Sequence, residues 1–293
     1  MAGKRERQKL KKVFSISESE LAGDEVTVSF VESEGFSAVY TGASTHIGTR
    51  DYQEDSFFVT EASSNSDNVP IKAFGIVCDG MGGLENGDIA SRLATDLMKV
   101  VLENTHMHKS NSIEAMFIDE IDRIDMCIRK ECTPKDGGNA GTTLVAALIL
   151  GKQLYWVGVG DSRIYILRGE EFVQVTQDHI YKMQLLKDVD RGLIPQEAAD
   201  EHPQRNALIS YVGSGNIQYI NTNKSGLDLL HGDIVLLCSD GLVKSLDDGR
   251  IATIIKNNYG DMKEAAQQLT LQSFDSSDGG KDNTTVVLMQ YFE

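Results

Sequence analysis

Short apolar runs rich in β-branched residues recur along the chain from Ser37 onward. Runs of this length, bounded by polar and glycine-containing segments, predict β-strands. Two of the intervening gaps, Gly151-Lys152 and Arg168-Gly169-Glu170, are short enough for hairpin turns, which indicates antiparallel pairing. The predicted strands are Ala38–Thr41, Ser56–Thr60, Ile71–Cys78, Thr142–Leu150, Gln153–Val159, Arg163–Leu167, Phe172–Val175, Ile217–Thr222, Ile234–Cys238 and Thr284–Gln290.

Two longer segments show helical spacing instead, with apolar residues recurring every three or four positions. Two further helices are predicted near Ile251–Ile255 and Ala265–Phe274. The first long segment has the stripe Ile89, Leu93, Leu97 and Val101, widened by Ala90, Ala94, Met98 and Leu102, and the second has Ile113, Met116, Phe117, Ile121, Ile124 and Ile128.

The order of these elements predicts an α+β fold. Hairpin-linked strands imply antiparallel sheets, and helices grouped together imply that they cover the outer faces of those sheets. We therefore expect a core formed by one sheet packed on another, with helices outside. Residues 37–293 are predicted to form one globular domain, and residues 1–36 a basic and then acidic arm or linker.

Charge narrows the classes of function. The 293 residues carry a formal net charge of −16, which argues against a nucleic-acid-binding surface, since that requires a basic face. Residues 1–12 are locally basic; such an arm could bind a membrane surface, a nucleic acid or an acidic partner, but a disordered tail is the commoner case.

Targeting and redox signals are weak along the chain. The N-terminus has no apolar region typical of a secretory signal, and the longest apolar stretch, Leu144 to Leu150, is too short to span a bilayer. Cysteines in no recognisable zinc or disulfide pattern favour a reducing compartment, and we expect a cytoplasmic monomer without a membrane span. The four cysteines are Cys78, Cys127, Cys132 and Cys238.

Aspartates at the ends of predicted strands are the strongest chemical signal. Asp79-Gly80 follows one long apolar run and Ser239-Asp240-Gly241 follows another, while Asp161 and Asp282 flank two more strands. Each Asp-Gly taken alone is more typical of a turn than of a ligand. Four such carboxylates brought together would suit Mg²⁺ or Mn²⁺, which prefer oxygen ligands.

A second segment, Gly48 to Ser56, places Arg50 shortly before the carboxylate pair Glu54 and Asp55. A guanidinium offers a planar fork that matches a phosphate group. A surface loop of mixed charge is the alternative interpretation, and the segment alone favours it.

Taken together, these segments resemble the metal-dependent (PPM, type 2C-like) protein phosphatases in their bacterial form. The resemblance extends from about Tyr40 to Gln290, and residues 176–215, which include Thr176-x-Asp178-His179, are similar to the family's flap. The matching motifs, in the family's order, are Arg50-x-x-x-Glu54-Asp55, Asp79-Gly80-x-Gly82-Gly83, Gly141-Thr142-Thr143, Gly160-Asp161-Ser162-Arg163, Ser239-Asp240-Gly241 and Asp282-Asn283.

The resemblance implies a four-layer αββα sandwich and hydrolysis of phosphoserine or phosphothreonine in proteins at a dinuclear Mn²⁺ or Mg²⁺ centre. By matching position, Arg50 would clamp the substrate phosphate, and Glu54 and Asp55 would hold metal-bound water. The implied metal ligands are Asp79, bridging two ions, the Gly80 carbonyl, Asp240 and Asp282, with Asp161 helping Asp240 to hold a third, weaker ion.

One position departs from many eukaryotic members, which have a histidine where this chain has Met81. The resemblance therefore leaves the donor of a proton to the leaving group open. Two alternatives to a general protein phosphatase remain: a phosphatase of a sigma-factor regulatory protein, and a non-catalytic, phosphatase-like regulatory module. The retained aspartates argue against the second.

Overall fold

The structure is a computed structural model that describes residues 37–64, 71–81, 86–105, 112–132, 140–276 and 282–293. The predicted arm at residues 1–36 lies outside the described residues, as do Gly82 and Gly83. The described strands are β1 (Ala38–His46), β2 (Asp55–Val59), β3 (Ser63–Ser64), β4 (Lys72–Met81), β5 (Gly141–Thr142), β6 (Leu144–Leu150), β7 (Gln153–Val159), β8 (Arg163–Arg168), β9 (Glu171–Gln174), β10 (Asn221–Thr222), β11 (Leu227–Asp228), β12 (Ile234–Cys238) and β13 (Thr284–Phe292).

The described helices are grouped in three parts of the chain, before β5, between β9 and β10, and between β12 and β13. None of them is both long and apolar enough to cross a membrane. The helices are α1 (Gly87–Glu103), α2 (Ile113–Glu131), α3 (Lys182–Asp190), α4 (Gln196–Asp200), α5 (Asp240–Ser245), α6 (Asp248–Asn257) and α7 (Met262–Ser276).

The strands form two antiparallel sheets. The first has the order β3-β1-β13-β12-β8-β9, and the second has the order β10-β7-β6-β4-β2, with β11 also paired to β7 and β5 to β4. Helices α1 and α2 cover the second sheet, while α6 and α7 cover the first. The predicted αββα sandwich is confirmed.

Alternation along the strands explains the layers. On β4, Val77 faces the other sheet and packs in the central cluster with Val145 and Val287, whereas Ile76 faces the helices. Both faces of the central strands are therefore covered, so all seven residues of β6 are buried and its sequence is continuously apolar. Burying each large apolar side chain contributes about 1.5–3 kcal/mol, which is why these runs were visible in the sequence.

The hairpins and the later helices agree with the predictions. Gly151 joins β6 to β7 and Gly169 joins β8 to β9, both with positive φ. Helices α6 and α7 contain the two predicted segments near Ile251 and Ala265.

The predicted stripe of α1 is off-centre. Ile89 is exposed, and the helix buries Ala90, Ala94, Met98 and Leu102 instead. The small alanines allow the helix to lie close to β4, so the residues expected only to widen the stripe form its centre.

The strand predicted at Ile217–Thr222 is also mostly wrong. Only Asn221 and Thr222 pair with β7, as β10. The preceding residues are tied instead to a neighbouring loop, since the Ser210 hydroxyl donates to the Tyr219 carbonyl and accepts from the Tyr219 amide.

Candidate active site

Two aspartates face each other at one end of the second sheet. Asp55, the first residue of β2, pairs in register with Asp79 on β4. The Asp79 backbone is fixed from the other side by Thr143, whose amide donates to the Asp79 carbonyl and whose hydroxyl accepts from the Asp79 amide. Paired residues on neighbouring antiparallel strands project to the same face of the sheet, which brings these two carboxylates together.

The first sheet reaches this pair through Ser239. The Ser239 hydroxyl donates to Asp55 Oδ2 at 2.8 Å and accepts from the Thr285 amide at 2.9 Å. Asp55 Oδ1 is buried and has no hydrogen-bond partner in the described part of the chain. Burial raises the pKa of Asp55 to about 7, although hydrogen bonds with Thr285 and Ser239 act in the opposite direction.

Asn283 holds the predicted phosphate-binding segment against the start of β13. Its side-chain oxygen accepts from the Glu54 amide at 2.8 Å, and its side-chain nitrogen donates to the carbonyls of Ile47 and Tyr52. Next to it, Asp282 accepts from Arg50 at 2.9 Å and from Lys244 at 3.1 Å. Burial alone would raise the pKa of Asp282, but the two cations outweigh it, and the pKa is lowered.

Asp240 begins α5 directly after β12 and Ser239. Lys244, one helical turn later, places its Nζ atom 2.6 Å from Asp240 Oδ2, while Asp240 Oδ1 is buried with no partner in the described ranges. Burial raises the pKa of Asp240 despite the nearby ammonium group.

Asp161 follows β7 beside the same strand ends. Its neighbour Ser162 forms a 2.7 Å hydrogen bond with the Thr143 hydroxyl, the group that also contacts the Asp79 amide. Gly160 turns with φ of 102°, and a side chain there would collide with Thr143. Burial, followed by the charge of Asp240, raises the pKa of Asp161 to about 7.

Asp79 shows how far these groups converge. Burial raises its pKa well above the ordinary value, and the next contributions come from the charges of its four acidic neighbours, Asp55, Asp240, Asp161 and Asp282. Five of the six carboxylates predicted from the strand ends and from the Glu54-Asp55 pair, all but Glu54, therefore share one electrostatic environment. We call Asp55, Asp79, Asp161, Asp240 and Asp282 the site carboxylates.

Glu54 and Gly80 lie beside this group. The Gly80 amide donates to the Glu54 carbonyl at 3.1 Å, and a Cβ atom at Gly80 would lie 2.2 Å from the Gly87 carbonyl oxygen. Only glycine can therefore bring the backbone this close. The Glu54 side chain lies against Gly87, and burial raises its pKa while Arg50 lowers it.

The donor set fits a hard divalent cation. Every candidate ligand is an oxygen, and two buried carboxylate oxygens, on Asp55 and Asp240, have no partner among the residues that the structure describes. Uncompensated buried charge is costly, and a bound cation would offset it. Among the residues that the structure describes, however, no three His, Cys, Asp or Glu side chains are placed closely enough to enclose an ion. The residues that would hold a metal thus lie near one another, but their side chains are not arranged as a complete coordination shell.

Lys244 is a site residue that the sequence did not predict. Asp240-Gly241 is also a turn signal, and only the helical conformation of α5 places residue 244 over residue 240. The signal was available as an i, i+4 acid–base pair, but it required knowing that the segment is helical.

Comparison with known proteins places the chain in a family. Protein phosphatase PhpP of Streptococcus pneumoniae is 33% identical over 218 residues, which cover 74% of this chain and 85% of the relative. Serine/threonine phosphatase stp of Listeria welshimeri is 34% identical over 243 residues, which cover 82% of this chain and 91% of the relative.

Solved structures agree with these relatives. The serine/threonine phosphatase of S. agalactiae superposes with a TM-score of 0.72 at 28% identity, covering 86% of this chain and 98% of that one. The catalytic domain of the phosphatase PstP, solved in complex with 2 manganese ions, superposes with a TM-score of 0.68 at 26% identity, covering 88% of this chain and all of that one.

The family model described as protein phosphatase 2C matches residues 41–184, a range that contains Arg50, Asp55, Asp79 and Asp161. The remaining two site carboxylates, Asp240 and Asp282, lie beyond that range. The chain belongs to the metal-dependent protein phosphatase 2C family and is a protein serine/threonine phosphatase.

Proposed function

We propose that this chain hydrolyses phosphoserine and phosphothreonine in proteins at a dinuclear Mn²⁺ or Mg²⁺ centre. The observation that carries the proposal is the group of five site carboxylates, two of which have buried oxygens without partners among the described residues. A pair of such ions supplies a nucleophilic water near neutral pH and neutralises phosphoryl oxygens. The manganese-containing PstP structure is a similar fold with the ions in place.

We assign the proposed metal-binding roles according to where each residue lies. Asp79 lies among the other site carboxylates and is proposed to contact both ions, with Asp240 and Asp282 completing one position and the Gly80 carbonyl the other. Asp161, whose environment is influenced first by burial and then by Asp240, is proposed to help hold a third, weaker ion.

Three further residues orient water and substrate. Asp55 and Glu54 are proposed to accept hydrogen bonds from the attacking water, which fixes its direction. The Arg50 side chain is about half exposed and carries a planar fork, so it can receive the phosphate group of a substrate arriving from solvent. Its present contact with Asp282 keeps the guanidinium beside the site.

Substrate choice is proposed to depend on the flap, residues 176–215, which contains α3 and α4. A phosphorylated protein targeted by a serine/threonine kinase is the proposed partner. A phosphoserine in a sigma-factor regulatory protein is the alternative substrate, and a direct comparison of turnover on the two kinds of phosphoprotein separates them.

The test is hydrolysis of a phosphothreonine peptide with Mn²⁺, with and without a chelator. We expect turnover only with the metal, and Asp240→Ala should lower kcat by about a thousandfold, since a lost metal ligand removes stabilisation of the transition state. Asp119→Ala, an exposed aspartate on α2, is the matched control and should leave kcat unchanged. Full activity of Asp240→Ala would refute the mechanism, and Mn²⁺ binding without turnover would favour the non-catalytic regulatory module.

A further inference from the structure

Lys244 contacts two site carboxylates at once. Its Nζ atom lies 2.6 Å from Asp240 Oδ2 and 3.1 Å from Asp282 Oδ2. The first contact is within one turn of α5, but the second joins segments distant in the sequence. The lysine is therefore placed by the fold between two oxygens that the proposed function gives to a metal ion.

The contact differs from the other lysine pairs on the surface. Lys256, for example, reaches a single carboxylate, Glu170, at 2.6 Å, and the Glu170 side chain is almost fully exposed. Asp240 and Asp282 are much less exposed than Glu170, so the charge of Lys244 acts where solvent screens it less. The ammonium group offsets charge that burial makes unfavourable.

An ammonium group and a divalent cation cannot both occupy the space between the same two carboxylate oxygens. The Lys244 side chain is itself 57% exposed, so its flexible stem has room to carry the ammonium into solvent. Removing that ammonium requires breaking two ion pairs before both oxygens can turn to a metal.

We propose that Lys244 is a tethered counter-ion that neutralises Asp240 and Asp282 in the metal-free protein and competes with the metal ion for them. The inference rests on the metal-ligand roles given above to these two aspartates. It makes Lys244 a positioning residue that sets the metal concentration at which the site fills. The lysine also keeps the two carboxylates together before the ion arrives.

The test is Mn²⁺ binding by calorimetry to the full chain, together with thermal melting in chelator. Lys244→Met should bind Mn²⁺ about three- to tenfold more tightly, because each broken ion pair of a partly exposed group is worth a modest free energy. In chelator the same variant should melt about 2–4 °C lower, since Asp240 loses its ammonium partner and Asp282 keeps only Arg50. Lys244→Arg keeps the unit charge beside the two carboxylates and should bind Mn²⁺ within about twofold of the unmodified chain.

Lys256→Met is the matched control, because it removes a lysine with an equally short ion pair on the neighbouring helix. Its Mn²⁺ affinity should be unchanged. Equal or weaker Mn²⁺ binding by Lys244→Met would overturn the inference while leaving the proposed metal centre intact. A raised KM for phosphopeptide with unaltered Mn²⁺ affinity would also overturn it, and would place Lys244 on the substrate. Absence of Mn²⁺ binding in both the unmodified chain and the variant would refute the metal centre and this inference with it.

Discussion

Two buried aspartates, Asp233 and Asp55, solve the problem of a buried charge in different ways. Asp233, immediately before β12, is 1% exposed; both of its oxygens accept from the Arg168 Nε–H group, and Oδ2 also accepts from a terminal guanidinium nitrogen. It also accepts from the Leu230 amide at 2.8 Å. Asp55 is nearly as buried, but only one of its oxygens is hydrogen-bonded, and it has no arginine or lysine partner in the described contacts.

Other aspartates of the protein show the same contrast between satisfied and unsatisfied carboxylates. Asp178 forms a bidentate pair with Arg163, and Asp125 accepts from the amides of Gly213 and Gly215. Asp240, in contrast, keeps a buried oxygen without a partner even beside Lys244. A buried carboxylate that the protein satisfies serves the fold, whereas one that it leaves unsatisfied indicates a ligand from outside.

The largest expected effect is on activity, in Asp79→Asn. The change should lower kcat by about a thousandfold or more, because the proposed bridging carboxylate is lost. In chelator at pH 8 its melting temperature should equal or exceed that of the unmodified chain, since the amide removes a charge that burial disfavours. A melting temperature several degrees lower would place Asp79 among the structural aspartates.

The next effect concerns pH in the metal-free protein. The pKa values of Asp55 and Asp161 are each raised to about 7 from an ordinary value of 3.8, first by burial. Between these two values the folded protein holds protons that the unfolded chain has released. Each carboxyl group therefore makes its full contribution to the free energy of unfolding below pH 4, and this contribution is lost as the pH rises through 7. The loss is at most about 4 kcal/mol for each group.

Melting in chelator should consequently occur at lower temperature at pH 8 than at pH 5.5. Mn²⁺ should reverse the trend, since it binds the deprotonated carboxylates, and the metal-induced rise in melting temperature should be larger at pH 8. Asp55→Asn should weaken the pH dependence in chelator. A melting temperature in chelator that increases steadily from pH 5.5 to 8 would contradict the assignment.

Substitution of the structural aspartate Asp233 should have the opposite effects to Asp79→Asn: stability should fall while activity remains. Asp233→Ala removes the acceptor of the Arg168 pair and of the Leu230 amide, and should lower the free energy of unfolding by about 3 kcal/mol. Activity measured well below the melting temperature should remain, because Asp233 is not one of the site carboxylates. Urea unfolding and phosphopeptide turnover give the two readings, and a loss of kcat without a loss of stability would break the distinction.

The sandwich could be predicted well from the sequence because each buried strand leaves a short, continuous run of apolar residues. A strand covered on both faces, such as β6, is apolar throughout, and its predicted start was two residues early, whereas the bounds of β7 were predicted to the residue. The stripe of α1 was misplaced because hydrophobicity ranks Ile89 above Ala90, whereas close packing against β4 prefers the smaller residue.

The candidate site was predictable only in part. The aspartates were visible as polar residues at the ends of apolar runs, although each alone suggested a turn, and the family resemblance supplied their roles. The contact of Lys244 with Asp240 could have been suspected from their i, i+4 spacing, but its second partner, Asp282, precedes a strand distant in the sequence and was not predictable. The sequence also could not show which carboxylates have all their hydrogen-bond partners and which do not, because this depends on contacts such as that of Ser239 with Asp55.

The smallest expected effect is at Asp125, a satisfied carboxylate that connects α2 to the end of the flap. It accepts from the Gly213 amide at 2.8 Å and the Gly215 amide at 3.1 Å. The preceding residue, Val212, exchanges two backbone hydrogen bonds with Thr142, and Thr142 pairs with Gly80 on β4. The helix therefore holds the flap against the strand that carries a proposed metal ligand.

Asp125→Ala should lower the free energy of unfolding by about 1–2 kcal/mol, the cost of leaving buried amides without an acceptor. Because the flap end is loosened rather than the carboxylates, KM for a phosphoprotein should rise more than kcat falls. Amide exchange at Gly213 and Gly215 should become faster than in Asp122→Ala, a control on an exposed position of the same helix. Unchanged exchange at both glycines would mean that the end of the flap is held without Asp125, and that a satisfied carboxylate this close to the site contributes only to the stability of α2.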